Sequence, residues 1–302
     1  MKELELIRLY YYFCECNDKE LALYCQRFSP NSCPSNEKLT DAELLTIYFY
    51  CRRFENKHLK SEIHDYADRY LRSWFPDLPT YATFNVRLNN LGNCLPYLAS
   101  RILNKIQMVE NQQHVENSVS LIDSMPIILC SGKRKGKVAP ELSEKSFCST
   151  KGVYYYGVKL HTIAFYRKGK LPLPEYLLLT SAAENDLEAI RPVLTNLVNR
   201  AIFADKAYAN KPLNQDLLNN ANTFIYTPTK LIKGETIFTR NFKKTADLLF
   251  STAVSVVGQP IEGLFNWLIE KTNLQKASKV RATKGLILHV FGAIVTALLN
   301  WI

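Results

Sequence analysis

Three acidic residues stand where a carboxylate does chemistry more readily than it decorates a surface. Asp123 interrupts the apolar run "LIDSMPI", flanked by Leu121, Ile122 and Met125. Asp205 ends the short run Ala201–Ala204 in "RAIFADKAYAN". Glu262 borders the helical stripe Ile261, Leu264, Phe265 and Leu268 in "PIEGLFNWLIEK". A carboxylate at the rim of a core is costly unless it is hydrogen-bonded, paired or bound to a cation. Each has a plain alternative: Asp123 caps a bend, Asp205 pairs with Lys206 or starts a turn, and Glu262 is helix surface. If the two aspartate strands are neighbours and the Glu262 helix closes over them, three like charges converge and demand a divalent cation. Hard oxygen ligands without a histidine cluster select Mg²⁺ or Mn²⁺. Glu270, two turns beyond Glu262, is the reserve candidate.

The elements that must position these acids follow from periodicity. The N-terminal part reads helical. In "LTDAELLTIYFYCRRF", Thr40 and Glu43 form a capping box, with Leu39 and Leu44 at the staple positions. "HLKSEIHDYADRYL" is a second amphipathic stretch, ended by Phe75-Pro76. A third helix over 80–91 puts Phe84, Leu88 and Leu91 on one face and Asn85, Arg87, Asn89 and Asn90 on the other. That pattern fits a helix-turn-helix reader of DNA, and equally a three-helix scaffold. From residue 118 the runs "SVSLIDSMPIIL", "YYYGVKLHTIAFY" and "PEYLLLTSA" read as strands. The order becomes β-β-β-α-β-α-β-loop-α, with a basic loop from Lys230 to Lys244 before the last helix. Such an order predicts an α/β fold, a mixed sheet with flanking helices, preceded by an all-helical N-terminal domain. The boundaries expected are 1–115 for the helical domain and 116–302 for the sheet domain.

At 302 residues and 47% hydrophobic, the chain can bury a substantial core. Its net charge of +10 is unevenly spread. Residues 1–120 carry 14 Lys/Arg against 15 Asp/Glu, whereas residues 121–302 carry 24 against 13. The basic excess therefore lies in the second part and should attract polyanions there, nucleic acid first and acidic membrane second. The cluster "SGKRKGK" (131–137) is suited to phosphate contact, or is a solvated loop. The eight cysteines show no regular spacing, so they read as reduced and the compartment as cytoplasmic. Cys14, Cys16, Cys25 and Cys33 with His58 and His64 offer zinc ligands, but without a CxxC pair. "GLILHVFGAIVTALLNWI" has 18 uncharged residues, the lower edge of a membrane span; His289, two glycines and Asn300 favour a buried core helix instead.

The series "KLTDAELLTI", "FPDLPTYATFNVRLNNL", "LIDSMPI", "KGVYYYGVKLH", "SAAENDLEAI", "FADKAYAN" and "IEGLFNWL" resembles bacterial DDE transposases of the insertion-sequence-982 group, over roughly residues 35–300. The resemblance implies a ribonuclease H-like catalytic domain, with Asp123, Asp205 and Glu262 as a triad holding two Mg²⁺ or Mn²⁺ ions. It implies metal-dependent cleavage at transposon ends and strand transfer into target DNA. The expected partner is double-stranded DNA, both ends and target, bound by a homodimer and not by a membrane protein. Relatives carry arginines directly before the last acid, where this chain has "VVGQPIE". DNA contact is then expected from Lys133, Arg134, Lys135, Lys137, Lys230, Lys233, Arg240, Lys243, Lys244 and Lys271, with Asn85 and Arg87 reading bases. A transposase-derived binding protein without catalysis, a stand-alone nuclease and a membrane-anchored protein are the rival expectations.

Overall fold

The computed structural model describes residues 2–16, 39–111, 118–134, 138–148, 151–229, 234 and 236–301. Five helices come first: α1 (Lys2–Cys16), α2 (Asp41–Phe54), α3 (Lys60–Tyr70), α4 (Tyr81–Leu91) and α5 (Leu95–Asn111). Strands β1 (Val119–Ser131), β2 (Glu144–Cys148), β3 (Val153–Phe165) and β4 (Leu173–Ser181) follow. Then come α6 (Asp186–Leu194), β5 (Ala201–Ala204), α7 (Lys211–Ala221) and β6 (Phe224–Tyr226). The chain continues through α8 (Ile237–Gly258), α9 (Pro260–Thr272) and α10 (Thr283–Leu298). Two compact units result, one of Met1–Ile106 with Leu268–Ile302 and one of Gln107–Trp267.

In the helical unit, α2 starts where the capping box predicts. Thr40 Oγ1 accepts the Glu43 N–H at 3.2 Å, and the Glu43 carboxylate accepts the Thr40 N–H at 2.6 Å. Leu39 and Leu44 are both buried. The C-terminal segment departs from the expected boundary, because Leu268 onward groups with the N-terminal helices. The reason is hydrophobic. Helix α10 is apolar nearly all round, with Leu286, Leu288, Val290, Ala293 and Ile294 buried, so it needs partners on several sides. It packs against α2 and α4. Two stretches, Asp247–Thr272 and Thr283–Trp301, are long and apolar enough to cross a membrane by length and composition, and the second is mostly buried in this unit.

The sheet unit is built on β3, whose one edge pairs with β1 and whose other edge is shared by β2 and β4. Beyond β1 lie β5 and β6, both parallel to the strand before them. This is the ribonuclease H-like mixed sheet: antiparallel β4, β3 and β1 extended by parallel β5 and β6, with short β2 as a sixth strand beside β3. Helices α6 and α7 bury Leu187, Ile190, Leu194, Leu213 and Leu217 against Ile122, Ile163, Ile202 and Ile225 of the sheet. Two elements differ from expectation. β2 lies in the stretch expected to be loop, where a largely exposed, polar strand gives little alternation to detect. Helix α8 begins inside the expected basic loop. Its apolar residues Ile237, Phe238, Leu248, Leu249 and Val256 are exposed, so no single stripe announces it. Thr236, whose hydroxyl accepts the Thr239 N–H at 3.2 Å, was the available start signal.

Gly157 on β3 supplies a test of the sheet. It lies opposite the register shift between Ile128 and Cys130 on β1. A Cβ there would collide with the Ile127 carbonyl oxygen and the Tyr155 ring. Backbone cannot yield as a flexible side chain can, so Gly157→Ala is expected to destabilise the protein by about 3 kcal/mol. Denaturant unfolding measures it.

Candidate active site

The sheet brings the two aspartates together by register. β1 and β5 run parallel with Ile122 opposite Ala204, so Asp123 and Asp205 follow side by side where β5 stops. Crevices outside the carboxyl ends of parallel strands are where open α/β sheets bind ligands. β5 stops because Asp205 takes over its backbone: the carboxylate accepts the Ala207 N–H at 2.7 Å and caps the turn Lys206–Tyr208. On β1, the Asp123 carboxylate accepts the Ser124 N–H at 2.7 Å. Glu262 enters from the first turn of α9. All three line one cavity of about 530 Å³, together with Lys206, Ser255 and Gln259. Glu262, and not Glu270, is the glutamate in that lining.

Burial pushes the Asp123 carboxyl up to about 7; the Ser124 N–H opposes this, while the charges of Asp205, Glu262 and Asp186 add to it. Partial burial also raises Asp205, with Asp186 again adding to the rise. Asp186 is the site residue that sequence reasoning missed. It opens α6, where its Oδ1 accepts Ser124 Oγ at 3.0 Å and Lys159 Nζ at 2.9 Å. Lys159 also donates to the Glu184 carbonyl at 2.9 Å, so its charge is spent on holding the start of α6. The available signal was the helix-opening "ENDLE", where Asn185 caps and the next acid sits on the helix N-terminus. His161 is buried beside this pair, its Nε2 2.8 Å from Thr180 Oγ1, and burial lowers it to about 4, so the ring is neutral.

None of Asp123, Asp205 and Glu262 makes an ion pair with a described Lys or Arg. Nor does any group of three or more His, Cys, Asp or Glu stand at metal-ligating spacing among the described residues. The donor set is all oxygen and its charge is uncompensated, which fits a hard divalent cation.

The expected DNA contacts are dispersed. Lys133 and Arg134 are exposed on the turn after β1, and Lys271 is exposed on α9. Lys135, Lys137, Lys230 and Lys233 lie outside the described residues, as do the side chains of Arg240, Lys243 and Lys244 on α8. Arg87 is tied to Asp41, NH2 to Oδ1 at 2.9 Å, with both side chains largely buried. That pairing gives Arg87 a structural task inside the helical unit. Asn85 Oδ1 accepts Asn89 Nδ2 at 3.3 Å. Neither lines the carboxylate cavity.

Two aspartates on adjacent strands of a ribonuclease H-like sheet thus share one cavity with a glutamate from a later helix. Residues 113–246 match the transposase DDE domain family. The match covers 134 of the 302 residues and supports a DNA-cutting function of the transposase type in general. The matched segment contains Asp123, Asp186 and Asp205 and ends before Glu262. No curated protein and no solved structure gives a significant match.

Proposed function

We propose that this chain is the transposase of a bacterial insertion sequence, akin to the insertion-sequence-982 group, acting in the cytoplasm on double-stranded DNA. The observation that carries the proposal is the register that sets Asp123 beside Asp205 with Glu262 on the same cavity. Asp123, Asp205 and Glu262 would hold Mg²⁺ or Mn²⁺, which would supply activation of the attacking oxygen and stabilisation of the leaving one. The reaction has two in-line steps. Water attacks the phosphorus at the transposon end, and the phosphorus–oxygen bond to the 3′ carbon's oxygen breaks, leaving a 3′-hydroxyl and a 5′-phosphate. The 3′-hydroxyl oxygen then attacks a target phosphodiester and displaces a target 3′ oxygen. The chain's own residues fix the geometry. Ser124 N–H and Ala207 N–H orient the two aspartates, while Lys159 neutralises Asp186 so that it does not crowd the cavity with a fourth uncompensated charge.

The test is a nicking assay with Mg²⁺ or Mn²⁺ on duplex carrying the inverted repeats that flank the reading frame, with joined products captured. Nicking with joining is expected. Nicking without joining makes the protein a nuclease, and end binding without nicking makes it a catalytically inactive DNA-binding derivative.

A salt titration checks the basic turn after β1. Removing Lys133, Arg134, Lys135 and Lys137 together is expected to weaken binding to all duplexes alike. The log–log salt slope falls by about 0.9 for each lost phosphate contact. An unchanged slope assigns them to a solvated loop.

A further inference from the structure

The helical unit holds a second cavity, of about 620 Å³, with a basic lining. Arg52 reaches it from α2, Lys60 from the start of α3, and Lys279, Arg281 and Lys284 from the segment leading into α10. No Asp or Glu lines it. The five cations come from parts of the sequence more than 200 positions apart, and only folding gathers them. Like charges brought together without an acid repel, and that arrangement is relieved when an anion binds.

Arg52 is the strongest sign. It is 2% exposed, yet among the described residues its guanidinium donates to neutral acceptors only: Thr296 Oγ1 at 3.1 Å, the His58 carbonyl at 3.4 Å and the Thr272 carbonyl at 3.5 Å. Its planar head also lies over the Tyr48 ring, 5.3 Å from the centroid. A buried guanidinium with no carboxylate partner is costly, and its five donors are not all used. The other cations are also unpaired with acids among the described residues: Lys60 Nζ donates to Asn89 Oδ1 at 3.0 Å, and Arg281 to the Ser278 carbonyl at 2.9 Å. The N-terminus of α10 adds its own positive end, since Ala282 supplies no side-chain cap.

The remaining lining suits more than a bare anion. His58 Nε2 faces Asn56 Oδ1 at 2.9 Å, while its Nδ1 is buried with no partner among the described residues. With Nε2 donating, a neutral ring leaves Nδ1 as an acceptor for a ligand's hydroxyl or amino group. Tyr81 offers an aromatic face and Asn85 an amide. We propose that this cavity binds a nucleotide-sized phosphate ester, its phosphate held by Arg52, Lys279 and Arg281 and its base beside Tyr81 and Asn85. Two sources share that chemistry, a nucleotide unit of a DNA strand and a free mononucleotide. The inference uses only the helical unit and is independent of the carboxylate cavity.

The experiment is calorimetric titration of deoxyadenosine monophosphate into the full chain at fixed ionic strength. One-to-one binding is expected. Lys279→Ser with Arg281→Ser, both at exposed positions, is expected to weaken it at least tenfold. Lys168→Ser with Lys170→Ser, at exposed positions before β4, should bind as the parent does. Absence of binding, or equal binding by the Lys279/Arg281 variant, overturns the proposal. With binding established, displacement by a short duplex assigns the site to a DNA strand, and persistence assigns it to a free nucleotide. Nicking is followed on the same preparations: a parent that binds the nucleotide but does not nick end-containing duplex removes the transposase proposal and leaves this one standing, and Asp205→Asn is expected to bind the nucleotide as the parent does.

Discussion

Asp205→Asn is expected to abolish cleavage of end-containing duplex, by at least about 10³-fold, while DNA binding changes little. Asp205 sits at the end of β5 and touches the core only through its own backbone cap, the 2.7 Å bond from Ala207 N–H. Asparagine keeps that cap, because its side-chain oxygen still accepts. What it loses is charge, and charge is what draws a divalent cation to the cavity. Asp123→Asn and Glu262→Gln are expected to fall to the same floor, and the double variants should fall no further, since residues acting as one unit are non-additive. The measurement is single-turnover nicking with Mn²⁺, with duplex affinity followed in parallel. A variant that retains more than a tenth of the parent rate removes its residue from the catalytic set. For Glu262 this outcome would direct attention to Asp186, which shares the electrostatic neighbourhood of both aspartates.

The second large effect is on stability against pH in metal-free protein. The Asp123 carboxyl stands near 7 in the folded chain, well above the ordinary carboxylate value of 3.8, chiefly through burial. The folded state therefore holds a proton that the unfolded state has released between these values. Its contribution to stability is complete below about pH 4 and is lost as pH rises to about 7, amounting to roughly 4 kcal/mol at most. Asp205, also raised, acts in the same direction. Buried His161 and His289, each lowered to about 4, act oppositely: they withhold a proton when folded and cost stability as pH falls below the ordinary histidine range. The opposing contributions partly cancel in the total. The difference between parent and Asp123→Asn isolates the carboxylate. Asp123→Asn is expected to match the parent near pH 4 and to exceed it at pH 8, by denaturant unfolding in the presence of a chelator. Saturating Mn²⁺ should close that gap by stabilising the parent, by about 2–3 kcal/mol at a hundredfold excess over its dissociation constant. A parent curve parallel to that of the variant would show Asp123 to be ordinarily ionised.

Much of the catalytic unit was legible because its signals are local. An aspartate inside "LIDSMPI" and another ending "AIFA" mark themselves by breaking apolar runs, and the strand–helix alternation implies a mixed sheet, but that the two strands are neighbours was only a condition there and is met by the register of β1 and β5. The α2 cap was equally legible, since Thr40 and Glu43 lie within one turn and need no distant partner. Helix α8 and strand β2 were not, because exposed apolar residues on one and polar residues on the other erase the contrast that periodicity relies on. Charge counting along the chain put the basic excess after residue 120, as composition alone must. Tertiary structure decided where that charge goes: the acid-free segment from Lys271 to Ile302 joins the nearly neutral N-terminal helices, because an all-round apolar α10 finds several-sided burial there. Asp186 shows the same division. Its place at the start of a helix was visible in the residues, but its nearness to Asp123 comes from the register of β1 and β3 and a lysine on the neighbouring strand, distances that no sequence spacing encodes.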